Sequence, residues 1–448
     1  MNTKVWLRTG TVSQTGVSLV MEPEGARVNV QIRAGDAVGG LGSSDSADLA
    51  KGSLLALEHR VPLVIEIEAN GPDVEEGLAA LDGWGQAARA IVKCSGVVPT
   101  IAIVTGPVVA GPSLLLGLVD IVVMVGQSYA FVGGPRMVTE FTGVPISTAE
   151  LGGSPVHDRT SGLASFTVDT VDEASELVAT LLGYLPSSTD ALPNQIATTD
   201  PTDRQLDDVY QIIPDSPTGS YDVRDVIAEV VDDAMFLEPR HSWAPNLVTL
   251  FATIDGHPIG VVANQPQSVA GTLDIAASQK GGRFVSFCDA FNLPILTFVD
   301  TSGFYPGKDL EWRGMIRYGA QFAFAYARAT VPRVAVTLRK SYGGAYIVMD
   351  SKYMGNDLSF AWPSAEIAVM GAKGAVEILH RNADEQERDL LETEYKERLL
   401  NPYIAAERGS IEAVIDPADT RRQVSAALEV LQGKRERLPR RRHDNTPL

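Results

Sequence analysis

The chain has 448 residues, 45% of them hydrophobic and 21% charged, the balance of a soluble globular protein with about two to four domains or two large α/β ones. A net charge of −19 argues against broad nucleic-acid binding, which needs a basic surface. Two cysteines, Cys94 and Cys288, cannot form a four-cysteine zinc ribbon, and both sit in apolar patterns as core thiols. No apolar run reaches the roughly 18 residues of a membrane span. The opening MNTKVWLRTG has no apolar signal core, so a reduced, cytoplasmic setting is expected.

Residues 1–50 carry short apolar or alternating runs, Val5-Trp6-Leu7, Val17–Val20 and Val28–Ile32, which predict a meander of strands. A helix follows over Ala47–His59, a strand over Leu63–Ile67, and a helix over Leu78–Val92. Strands are predicted at Thr100–Val104 and Ile121–Val125, separated by the turn Ala110-Gly111-Pro112. Strands alternating with helices indicate an α/β domain with a mainly parallel sheet. Between Ser188 and Tyr221 the chain is rich in Pro, Asp, Thr and Ser, and reads as a connection. The expected division is therefore 1–195, a linker at 196–222, and 223–448.

In the second half a helix is predicted over Asp222–Phe236, and strands Val248–Ile254 and Ile259–Asn264 flank the hairpin signal Asp255-Gly256. Helices at Asp274–Asn292 and Trp312–Thr330 bracket a strand at Ile295–Asp300. The buried strand Val334–Leu338 then runs into Gly343-Gly344-Ala345 and a helix start at Tyr346. A strand feeding a Gly-Gly turn that opens a helix directs main-chain N–H groups at one spot, a ready oxyanion site. A charged helix at Ala383–Leu400, a last helix at Arg421–Leu431 and a solvated basic tail, Lys434–His443, complete the pattern.

The halves repeat each other. Gly111 lies twelve residues after Pro99, and Gly344 twelve after Pro332. That spacing predicts a duplicated domain with two oxyanion turns, which suits a reaction of two carbonyl substrates.

The second half carries a more specific signal: Gly260–Pro266, Ala270–Ile275, Phe298–Phe304, Arg339–Tyr346, Ala361–Gly371 and Asn401–Gly409, in that order. This series resembles the carboxyltransferase (β) subunit of biotin-dependent acyl-CoA carboxylases, in the crotonase superfamily. The first half resembles the same family through Ser95–Pro99, Glu150–Gly153 and Tyr184–Ser188. The resemblance implies two crotonase-like ββα-superhelix domains, without the N-terminal helical segment of full-length members. It implies that biotin, as carboxybiotin on a separate carrier, donates CO2 to an acyl-CoA, with no metal. It assigns Gly344 and Ala345 to the ureido oxygen, and Tyr342, Gly343, Tyr346, Gly303 and Phe304 to the biotin pocket. Ala110 and Gly111 would hold the thioester enolate, with Ile347, Gly77, Gly133 and Gly134 on the substrate side. The implied assembly is a hexamer with active sites at dimer interfaces, partnered by biotin carboxylase and a biotin carboxyl carrier, with no nucleic acid and no membrane.

Two departures stand out. Pro112, which has no N–H, occupies the place of Ala345 in the repeat, leaving Ala110 and Gly111 as donors or the hole damaged. Asp73 stands where the family has an Arg, and would repel CoA phosphates. The alternatives are a decarboxylase or transcarboxylase subunit of the same fold and, on these two departures, a non-catalytic assembly subunit. Asp300 and Asp309, flanking Gly303, read as loop caps rather than an acid–base pair, and His157 and His380 as surface or structural residues. No biotinylation tract and no nucleotide-binding glycine loop is present in these residues.

Overall fold

The computed structural model describes residues 16–20, 28–36, 38–214, 216, 219–440 and 442–447, with main chain alone for 16–20. The run at Val5-Trp6-Leu7 lies outside the described residues. The chain forms two units. The first extends to Asn194 and includes Pro239–Trp243 and Ala290–Asn292; the second comprises Gln195–Glu238, Ala244–Asp289 and Leu293–Leu448.

The first unit is built on one sheet. Its strands are β1 (Gly16–Val20), β2 (Asn29–Ala34), β3 (Leu63–Ala69), β4 (Thr100–Val109), β5 (Ile121–Val125), β6 (Tyr129–Phe131) and β7 (Phe166–Val168). They lie in the order β1-β2-β3-β4-β5-β7, with β6 beside the end of β4. Only β1 runs antiparallel to its neighbour. Strand β5, IVVMV, is buried along its whole length, as a central parallel strand covered on both faces must be. Helices α1 (Ser43–His59) and α2 (Leu78–Cys94) pack through Leu49, Ala56 and Ile91 on Ile65, Ile67 and Leu115. Each fully buried aliphatic side chain there contributes about 1.5–3 kcal/mol. Cys94 belongs to this core, and burial pushes its thiol up to about 11.

The second unit repeats the plan. Its strands are β8 (Phe236–Leu237), β9 (Leu247–Ile254), β10 (His257–Asn264), β11 (Ile295–Thr301), β12 (Arg333–Tyr342), β13 (Leu358–Ala361), β14 (Glu366–Ala368) and β15 (Ala413–Val414). The order is β15-β13-β12-β11-β10-β9-β8, with β14 beside the end of β12. Strands β9 and β10 form the expected hairpin around Asp255 (φ 53°) and Gly256 (φ 70°), the double positive φ of a tight turn that follows strand twist.

Four expectations change here. The stretch 196–222 packs into the second unit: Ile196 N–H donates to the Gly256 carbonyl at 2.7 Å, and Leu206, Val209 and Tyr221 join the core. The helix expected over Asp222–Phe236 stops at Val230, because Asp232 is drawn to the Gly256 N–H (2.8 Å) and the Arg421 guanidinium (2.6 Å). The helix expected over Trp312–Thr330 divides at Gly314 (φ 101°) into Lys308–Arg313 and Met315–Arg328. The basic tail is not frayed throughout: Lys434 reaches Asp357 at 3.1 Å, and Arg328 bonds Asp444.

The duplication extends to irregular features. Pairing between β3 and β4 steps from Ile67↔Val104 to Ala69↔Val108, and between β11 and β12 from Val299↔Thr337 to Thr301↔Ser341. In each copy one residue, Glu68 or Asp300, faces three on the next strand, a bulge that bends its end. A glycine passes over the same carbonyl in both. A Cβ on Gly35 would lie 2.0 Å from the Glu68 oxygen, and one on Gly271 2.4 Å from the Asp300 oxygen. Matching parallel bridges follow, Leu41↔Pro72 and Leu273↔Phe304.

Candidate active site

In the second unit, β12 ends at Tyr342 in an extended conformation, Gly343 turns at φ 60°, and a short helix α3 (Gly343–Val348) begins at once. Gly343, Gly344 and Ala345 thus supply the first three N–H groups of a helix, which have no partner one turn back. Gly344 is exposed and Ala345 buried. A Cβ on Gly344 would lie 3.4 Å from the Phe304 ring, so that ring walls the turn, while the space around Gly303 (φ 133°) is open. Tyr342 is half-buried and its hydroxyl bonds Glu366; burial and then that carboxylate push the phenol up. Tyr346 is half-buried too, and burial raises it as well. Ile347 is 38% exposed on the same helix. The structure therefore gathers Gly343, Gly344, Ala345 and Phe304 tightly, with Tyr342, Tyr346 and Ile347 on adjoining positions.

The first unit has the matching turn with different chemistry. Ala110 takes the place of Gly343 and holds φ 58° and ψ −142°, a region that only glycine enters freely. Its N–H donates to the Phe131 carbonyl at 2.9 Å, which withdraws it from the donor role expected of it. Pro112 has no N–H, and Gly111 is left as the turn's one uncommitted main-chain donor among these three residues. The Trp84 indole walls this turn: a Cβ on Gly111 would lie 3.1 Å from it. Strand β6 brings Phe131 alongside Val109, so Gly133 and Gly134, just beyond it, sit on the same end of the sheet. Gly77 stands at the start of α2, seven residues before Trp84, with open space at its Cα. Ala110→Gly is expected to raise unfolding free energy by about 1 kcal/mol, relief of strain exceeding the added chain entropy. Chemical denaturation checks this.

Two acidic residues beside Gly77 bond nearby main-chain N–H groups. Asp73 accepts the Glu75 N–H at 2.9 Å, and Glu76 accepts the Ser43 N–H at 2.6 Å at the start of α1. His157 is satisfied at both nitrogens, by Ser161 Oγ (2.7 Å) and the Ala130 carbonyl (2.8 Å). Asp309 is exposed and near Arg313 (3.7 Å), whereas Asp300 is buried in β11, so the two carboxylates form no pair. The strand expected at Ile295–Asp300 forms, so Asp300 lies in it rather than acting as a loop cap.

Comparisons with known proteins show the family and the fold. The carboxyl transferase domain family matches residues 24–446. The propionyl-CoA carboxylase carboxyltransferase subunit of Haloferax mediterranei is 43% identical over 417 residues, covering 92% of this chain and 81% of that protein. The methylmalonyl-CoA carboxyltransferase 12S subunit of Propionibacterium freudenreichii subsp. shermanii is 39% identical over 445 residues, covering 98% and 84%. A crystal structure of a transcarboxylase 12S hexamer with methylmalonyl-CoA and methylmalonic acid bound superposes with a TM-score of 0.93, at 39% identity, covering 97% of this chain and 84% of that one. The chain belongs to the carboxyl transferase family, as a carboxyltransferase subunit of the biotin-dependent acyl-CoA carboxylase type. It is an enzyme subunit with the crotonase-like fold, and its two sheets are the two copies of that fold.

Proposed function

We propose that this subunit carries the carboxyl group of carboxybiotin, borne on a separate protein, to the α carbon of a short-chain acyl-CoA of the acetyl or propionyl class. The turn at Gly343-Gly344-Ala345 carries the reading: a helix start at the bent end of β12, with two glycines and an aromatic wall. That donor set suits a ureido oxygen as it gains charge, because fixed N–H groups need no reorganisation when the charge develops. The Phe304 ring lies within van der Waals reach of a Cβ at 344, so it closes one side of the turn. Bound biotin supplies the carboxyl group and a basic nitrogen, which leaves positioning and charge stabilisation to the protein.

Gly344 and Ala345 are the ureido-side donors, with Tyr342, Gly343, Tyr346, Gly303 and Phe304 around them. Gly111 is the thioester-side donor, with Gly77, Gly133 and Gly134 on the same side, and Ile347 limits the acyl group. Residues 1–195 form the acyl-CoA domain and 223–448, with 196–222 packed against it, the carboxybiotin domain. The propionyl-CoA carboxylase names of relatives support a short acyl chain. The 12S hexamer supports a hexameric assembly. Active sites at dimer interfaces, a cytoplasmic setting, and biotin carboxylase and a biotin carboxyl carrier as partners complete the reading. Among the described residues no helix is long and apolar enough to cross a membrane. The test combines the purified subunit with biotin carboxylase, biotinylated carrier, ATP, bicarbonate and a panel of acyl-CoAs. Carboxylated acetyl- or propionyl-CoA is expected, and no product from any thioester would sink the reading.

A further inference from the structure

We propose that Asp300 is a positioning residue for the carboxybiotin side: it holds the bulge in β12 that aims Gly344 and Ala345. The inference rests on the function proposed above for that turn. At the bulge, Leu338, Arg339 and Lys340 face the single residue Asp300, so the strand's N–H groups lose their ladder partners there. A buried N–H without an acceptor is costly. The Asp300 carboxylate supplies the acceptor: Oδ1 takes the Lys340 N–H at 3.1 Å, and Oδ2 takes Arg339 Nε at 3.1 Å. The Tyr221 hydroxyl donates to the same Oδ2 at 2.8 Å, and the Asp300 N–H donates to Asn264 Oδ1 at 3.2 Å. Arg339 in turn donates to the Gly219 carbonyl at 2.8 Å, which ties the bulge to the segment preceding Tyr221. Asp300 is 2% exposed, so water does not compete for these bonds. Tyr342 and Gly343 lie only two and three residues beyond Lys340. A change of direction at Lys340 is therefore passed directly to the donors.

The first unit provides an internal comparison. Glu68 occupies the bulge there, but the residue matching Lys340 is Pro107, which has no N–H to satisfy. Its carboxylate is bonded instead by the Thr105 hydroxyl at 2.6 Å. One copy of the bulge needs no main-chain acceptor, and the other is held by Asp300.

The test is Asp300→Asn, which keeps size and loses the charge, with Asp300→Ala and Glu68→Gln alongside. The assay is the reverse reaction, carboxyl transfer from methylmalonyl-CoA to free biotin, run with the whole subunit. Asp300→Asn is expected to lower kcat about 100-fold and raise the KM for biotin about 10-fold. The KM for methylmalonyl-CoA is expected to stay within about twofold. Glu68→Gln leaves the KM for biotin at its wild-type value. Wild-type kcat and biotin KM in Asp300→Asn, or equal rises in both KM values, overturn the proposal. A wild-type protein that transfers no carboxyl group defeats the function reading instead. Amide exchange over residues 338–349 then decides: faster exchange in Asp300→Asn supports the bulge tie, and unchanged exchange overturns it.

Discussion

Gly344→Pro is expected to lower carboxyl transfer from carboxybiotin by about 10²–10³-fold, the usual loss on removing one oxyanion donor. The substitution removes an N–H at the second position of a helix, where a proline ring meets no preceding turn. The fold should survive, and the thermal midpoint should move by only a few degrees. Carrier-dependent formation of carboxylated acyl-CoA measures the loss. Gly344→Ala separates the two contributions of this glycine. It keeps the donor but adds a Cβ 3.4 Å from the Phe304 ring, so a smaller loss is expected. If Gly344→Pro retains full activity, the turn does not hold the ureido oxygen.

Asp350→Ala is expected to cost about 3–5 kcal/mol of stability, because it strands a buried guanidinium. Arg333 and Asp350 are both 0% exposed at the side chain, and Arg333 Nη1 meets Asp350 Oδ1 at 2.5 Å. Asn356 donates to the other Asp350 oxygen at 2.8 Å, and Arg333 also reaches the Met354 carbonyl at 3.3 Å. The pair therefore ties the start of β12 to the chain after α3, beneath the turn. Asp350 also holds φ 56°, which asparagine tolerates better than other non-glycine residues. A double variant, Arg333→Met with Asp350→Asn, removes both charges and is expected to lose less than Asp350→Ala alone. Urea unfolding of the three proteins measures the difference. A loss below about 1 kcal/mol in Asp350→Ala would assign the pair no structural weight.

Much of this was legible in the residues. Strand β5 matches its apolar run residue for residue, and Asp255-Gly256 marks its hairpin correctly, because both signals are local. The duplication was legible in the spacing of Pro99–Gly111 and Pro332–Gly344. Features made by distant partners were not. Asp232 ends a helix early through Arg421, a residue 189 positions away. The Ala110 N–H is consumed because β6 returns alongside β4, a pairing that no local pattern announces. Gly314 was visible as a glycine, but the periodicity on both sides of it reads as one helix. The bonds that Asp73 and Glu76 make to the Glu75 and Ser43 N–H groups were not legible from residue type.

The crossings at Gly35 and Gly271 have a practical meaning for anyone randomising this gene. Each leaves no room for even a methyl group, and each has φ above +60°. A selection for folded protein should therefore keep glycine at both positions, 236 residues apart. Both stand opposite the bulged residue of their own sheet, so the constraint that the domain carried before it doubled is still enforced in each copy.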